Sequence, residues 1–145
     1  MKWLMIVAAL LCVLVVAGML YVRMAGHDLA RWHVDPLKVS QIDPLNQHIE
    51  KINVPTDVKT VVAALPDLLG GRLLAGDFGS GWVTVVVRTA LIGYPDYVSV
   101  RIVEAGPEMT EVTLFSRSRF GIRDFGANKS RIEDILSKLA RLPTS

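Results

Sequence analysis

Between Ser116 and Ile132 the chain carries Arg117, Arg119, Arg123, Lys129 and Arg131 against a single acid, Asp124. Five cations and one carboxylate leave this run with a net charge of +4. Guanidinium groups offer forked donors to phosphate or carboxylate, and they stack on aromatic rings. The chemistry to expect is attraction of an anionic group. Asp124 can hold Arg119 or Arg131 in place or accept loop N–H groups, and Asn128 can cap a helix. The candidate binding set is therefore Arg117, Arg119, Arg123, Asp124, Asn128 and Arg131. No catalytic residue is expected. Ser116, Ser118 and Ser130 have no histidine in this half of the chain, and Lys129 beside Arg131 has no reason to lose its proton.

The run falls where a strand ends and a helix begins, and the free N–H groups of a helix start suit an anion. Helical spacing of Val58, Val61, Val62 and Leu65 predicts a helix opened by Thr56 and stopped or kinked at Pro66. Strands are predicted over 72–78, 82–90, 97–104 and 109–117, with turns at Gly79–Gly81, Gly93–Asp96 and Gly106–Pro107. Residues 48–54 read as a short strand or an extended lead-in. A closing helix over 128–142 carries the stripe Ile132, Ile135, Leu136, Leu139 and Leu142. The expected fold class is α+β: a four-stranded antiparallel meander with two helices on one face. Alternation sends Val112 and Leu114 toward the helices. It leaves Arg88, Arg101, Arg117 and Arg119 on the other face, beside Trp82, Tyr97 and Phe115. That face reads either as an anion-binding surface or as an ordinary solvated one whose weak ion pairs keep it soluble.

Hydrophobic residues make up 51% of the 145. The excess lies in Trp3–Val22, which has no charge. Twenty residues at about 1.5 Å each span about 30 Å, the hydrocarbon thickness of a bilayer. Trp3 and Tyr21 sit at its ends, where amphipathic rings favour the interface. The expected layout is a transmembrane anchor over 1–23, a juxtamembrane connector over 24–47 and an α+β domain over 48–145. A cleaved signal peptide would have a shorter apolar core and a small-residue site, which is poor here. Orientation divides two signals. Arg23, Arg31 and Lys38 outnumber Lys2 and favour a domain inside; the short tail before one span resembles an uncleaved export signal. The second is preferred, placing the domain on the non-cytoplasmic side.

Cys12 stands alone, so no intrachain disulfide or thiolate cluster exists. His27, His33 and His48 lack ligand spacing, so no metal and no cofactor are expected. A net charge of +2 gives no reason to expect nucleic acid. Asp-Phe-Gly occurs at 77–79 and at 124–126 without the other elements of a kinase.

Arg117-Ser118-Arg119-Phe120-Gly121, Asp124-Phe125-Gly126 and Asn128-Lys129-Ser130-Arg131-Ile132-Glu133 together resemble the C-terminal signature of a bacterial and plastid family, domain of unknown function 1499. The specific part covers about eighteen residues, and a weaker likeness reaches back to about residue 50. The family's Pro-Asn-Cys-Val segment is absent. Pro95-Asp96-Tyr97-Val98-Ser99-Val100 stands where an acidic stretch is usual. The resemblance implies an α+β fold and membrane association, and supplies no activity. Three functions stay open. The first is a non-catalytic binding or assembly module at the membrane, for an anionic lipid, an envelope polymer or a protein partner. The second is an enzyme on an anionic substrate, with Asp124 as acid/base. The third is a structural domain of a membrane complex.

Overall fold

The computed structural model describes residues 1–90 and 92–144. A first helix, α1 (Lys2–Met24), is long and apolar enough to cross a membrane, a property it shares with signal sequences. The short helix α2 (Leu29–Trp32) follows, capped by the Asp28 carboxylate, and then a single 3-10 turn at Pro36–Lys38.

The sheet has five strands rather than the four expected. They are β1 (Gln47–Val54), β2 (Arg72–Asp77), β3 (Trp82–Arg88), β4 (Pro95–Gly106) and β5 (Met109–Ser118), in the order β1-β5-β4-β3-β2. All neighbours are antiparallel. β2 to β5 form the expected meander, and the segment over 48–54 adds an edge strand to β5. Its sequence hides this role because an edge strand is only half covered: Val54 is buried, whereas Gln47 to Glu50 are intermediate.

Between β1 and β2, α3 (Val58–Leu69) crosses from one edge of the sheet to the other. Its cap is Asp57, not Thr56: the Asp57 carboxylate accepts from the Thr60 N–H at 3.0 Å. Pro66 lies within the helix and does not end it. So close to the C-terminus it removes one helical hydrogen bond and leaves little helix beyond to misalign. Gly70 closes the helix at φ 60, a left-handed conformation that suits glycine. The last helix, α4, spans Ala127–Leu139.

Both α3 and α4 pack on one face, as expected. Val61, Leu65 and Leu69 of α3 and Ile132, Ile135 and Leu139 of α4 join Val83, Val85, Val98, Val100, Val112 and Leu114 in one buried cluster. Each aliphatic side chain so buried contributes about 1.5–3 kcal/mol before chain entropy is counted.

The opposite face is not open. The connector folds back across it as a strap. Trp32 lies flat on Tyr97, with ring centroids 4.1 Å apart and planes 9° apart, and His33 lies on Trp82 at 4.0 Å and 12°. Trp32, Val86 and Tyr97 make a second small core there.

Candidate functional site

The corner begins where β5 ends. Facing side chains follow the expected alternation, since β4 and β5 pair Ser99 with Phe115, Tyr97 with Arg117 and Arg101 with Thr113. Arg117 is thus on the strap face, and there it is buried, with 3% of its surface exposed. It donates to the Trp32 carbonyl and to Ser99 Oγ at 3.1 Å, and its guanidinium lies 4.5 Å from the Phe115 ring centre. Burial pushes its pKa down to about 10, partly offset by the Tyr97 hydroxyl, so it stays cationic at neutral pH. Arg119 donates to the Gly26 carbonyl and lies over the Phe120 ring, 5.1 Å from its centre. Two of the expected surface arginines therefore clamp the strap to the sheet.

Trp32 and the histidines of the strap are the residues that the sequence did not single out. His27 Nδ1 meets the Tyr97 hydroxyl at 2.8 Å, and His33 Nδ1 meets Thr84 Oγ1 at 2.9 Å. Both imidazoles have lowered pKa values. Burial is the main cause for each, followed by Arg88 for His27 and Arg117 for His33.

On the helix face, Ser116 points toward α4. Its hydroxyl donates to Asn128 Oδ1 at 2.6 Å and accepts from Arg131 at 2.9 Å. Arg131 also pairs with the buried Asp96 carboxylate at 2.6 Å. Asn128, fully buried, sends its amide to the Asn46 carbonyl at 2.8 Å and to Ser118 Oγ at 2.9 Å. Asn128 is not the helix cap. The N-cap position is Gly126, and it is Asp124, two residues before it, whose carboxylate accepts from the Gly126 and Asn128 N–H groups at 2.9 Å each and from the Asn128 amide at 2.7 Å. Burial alone would raise the Asp124 pKa, but these donors outweigh it and hold the carboxyl below its ordinary value. Asp124 holds neither Arg119 nor Arg131; Arg131 has Asp96 instead.

Gly121 and Gly126 turn the loop at φ 93 and φ 83, as their type suggests. The strap's end is stitched to the same loop. The Asp124 N–H donates to the Leu45 carbonyl at 2.9 Å, and the Ser118 N–H to the Asn46 carbonyl at 3.0 Å.

Two cations remain at the surface. Arg123 is exposed, and its side chain makes no hydrogen bond or ion pair among the described residues. Lys129 is exposed and reaches Glu133 only at 3.8 Å. Both line a cavity of about 270 Å³ with His48, Asp124, Phe125 and Gly126. No cluster of three or more metal-ligating side chains occurs among the described residues.

The fold is an α+β domain with a five-stranded antiparallel sheet, preceded by an apolar helix. The chain belongs to the family described as Protein of unknown function (DUF1499), whose sequence profile matches residues 28–139. The matched region takes in most of the strap as well as the sheet. Among curated proteins none matches the chain significantly. Several solved structures are similar, two of which illustrate the likeness. One is DynU16, encoded in the dynemicin biosynthetic locus, at 20% identity and a TM-score of 0.42, with 68% of this chain and 47% of that one covered. This chain thus spans about half the length of DynU16. The other is a START superfamily protein from Mycobacterium smegmatis, at 13% identity and a TM-score of 0.39, covering 65% of this chain and 93% of that one.

Proposed function

We propose that this chain is a membrane-anchored, non-catalytic binding or assembly module whose basic corner meets an anionic group at the membrane surface. Residues 3–22 of α1 supply the anchor, and the domain faces the non-cytoplasmic side. The anionic group belongs to a lipid headgroup, an envelope polymer or an acidic patch on a protein partner. A basic surface held next to a bilayer gains from any negative charge there.

The observation that carries the reading is how the corner's cations divide. Arg117 and Arg131 are turned inward and engaged by Trp32, Ser99, Ser116 and Asp96. Arg123 faces solvent with its donors unused, beside a cavity it shares with Lys129. The inner half of the signature holds the corner rigid, and the outer half is left to meet a ligand.

An enzyme using Asp124 as acid/base finds less support. Its oxygens already accept three hydrogen bonds, and its lowered pKa leaves it no proton to give near neutral pH.

The test is thermal melting of the full chain in zwitterionic nanodiscs at low salt, with phosphate monoesters, polyphosphate and acidic sugars added in turn. A ligand that raises the wild-type midpoint but not that of Arg123→Ala supports the reading and names the class by linkage. Equal shifts in both proteins, or none with any anion, would count against it.

A further inference from the structure

Phe125 is the residue that the fold explains least. The residue is 93% exposed, and its backbone stands at φ 53, a region that few residues other than glycine adopt. Ile122, three positions earlier, is 83% exposed. Neither belongs to either hydrophobic cluster of the domain. Two apolar side chains held outward on a loop, one of them by a costly backbone conformation, point to a partner outside the chain.

The position of the loop indicates which partner. Phe120, Gly121, Arg123 and Phe125 line one groove of about 780 Å³ with the side of α1 from Leu14 to Val22, and Ile122 lies in the same loop outside that lining. Tyr21 meets Phe120 edge-on at 6.4 Å. Leu14 to Val22 is about 12 Å of helix, at about 1.5 Å per residue. The headgroup zone on each side of a bilayer is only about 5–8 Å deep. A loop lying along that length of a spanning helix cannot stay wholly in water.

We propose that residues 120–126 form a second membrane contact, in which Ile122 and Phe125 enter the boundary between headgroups and acyl chains beside α1. Arg123 sits between them in sequence. Its long stem lies along apolar surface while its guanidinium reaches the phosphates. The loop's one acid does not oppose this. Asp124 turns its carboxylate inward onto Gly126 and Asn128. The proposal rests on α1 spanning the bilayer, as in the proposed function. It fixes how the domain stands: pinned at the anchor and at the loop, with Arg123 and Lys129 turned to the headgroup layer.

The experiment uses the full chain with Cys12→Ala. Single cysteines are placed by Ile122→Cys, Phe125→Cys, Leu10→Cys within α1 and Glu108→Cys at the far hairpin. Each is labelled with a nitrobenzoxadiazole fluorophore and reconstituted into zwitterionic vesicles carrying spin-labelled lipids. The labels at 122 and 125 are expected to emit to the blue of the label at 108 and to be quenched by shallow spin labels. Emission at 122 and 125 matching that at 108 would overturn the proposal. The Leu10 label then separates the two readings. If it is quenched, the anchor stands and the loop contact alone falls; if it is not, the spanning reading falls as well.

Discussion

Trp32 stacks on Tyr97 at 4.1 Å and accepts a hydrogen bond on its carbonyl from Arg117, so one residue of the strap both covers the sheet and engages its buried cation. The strap is therefore part of the fold and not a tether. Trp32→Ala removes the stacked ring and opens a path for water to Arg117. Loss of about 3–5 kcal/mol is expected, in line with large aromatic deletions from cores. Denaturant unfolding of the full chain would measure it, and a loss under about 1 kcal/mol would mean that the strap is a loose cover.

Asn128 bridges β5, α4 and the strap through a single amide. Asn128→Ala takes the acceptor from the buried Ser116 hydroxyl and leaves the Asn46 carbonyl with the Ser118 N–H alone, at a cost of about 1–3 kcal/mol for the stranded hydroxyl. Asn128→Asp should be worse, because it sets a second carboxylate against Asp124, which the amide now meets at 2.7 Å. Thermal melting of the two variants ranks them. An Asn128→Asp variant as stable as wild type at neutral pH would contradict this geometry.

Arg131 and Asp96 form a pair with little solvent around it, at 2.6 Å. Arg131→Leu alone strands the Asp96 charge, an effect of about 3–5 kcal/mol for a buried pair broken on one side. Adding Asp96→Asn should recover part of that loss. A double variant no more stable than the single one would show that Arg131 acts mainly through Ser116 and Asn128.

Acid should loosen the strap first. The folded-state pKa values of His27 and His33 lie below the ordinary 6.5, so the unfolded chain binds protons more readily than the folded one. Their contribution is therefore whole above about pH 6.5 and is lost as pH falls from there toward the lowered values. Asp124 has the same sign at more acid pH, its contribution being lost below its ordinary 3.8. Amide exchange at pH 7.5 and pH 5.5 would detect the first step as loss of protection over residues 27–38 ahead of the sheet. Equal protection at both values would contradict it.

The faces of the strands could be read from the sequence because a strand repeats every two residues. Placing Leu114 inward and Arg117 outward needs only that period. The same holds for the stripe on α4. What covers Arg117 could not be read this way. Trp32 and Tyr97 lie far apart in sequence, and the strap has little periodicity to announce a buried side. The role of Asn128 was misplaced because an asparagine at a helix start usually caps it. Here Asp124, four residues earlier, takes the N–H, and the amide is free to turn inward. The edge strand β1 was half legible, because one covered side gives only a partial pattern. Arg123 was indistinguishable from its neighbours in the sequence. Only the partners of Arg117, Arg119 and Arg131 single it out.

The most direct measurement of the central claim compares wild type and Arg123→Ala in zwitterionic and anionic nanodiscs, each melted at low and high salt. Anionic lipid is expected to raise the wild-type midpoint at low salt, to lose that effect at high salt, and to move Arg123→Ala much less. Identical wild-type midpoints in the two lipids, or an equal rise in the variant, would contradict a basic corner that meets negative charge at the membrane.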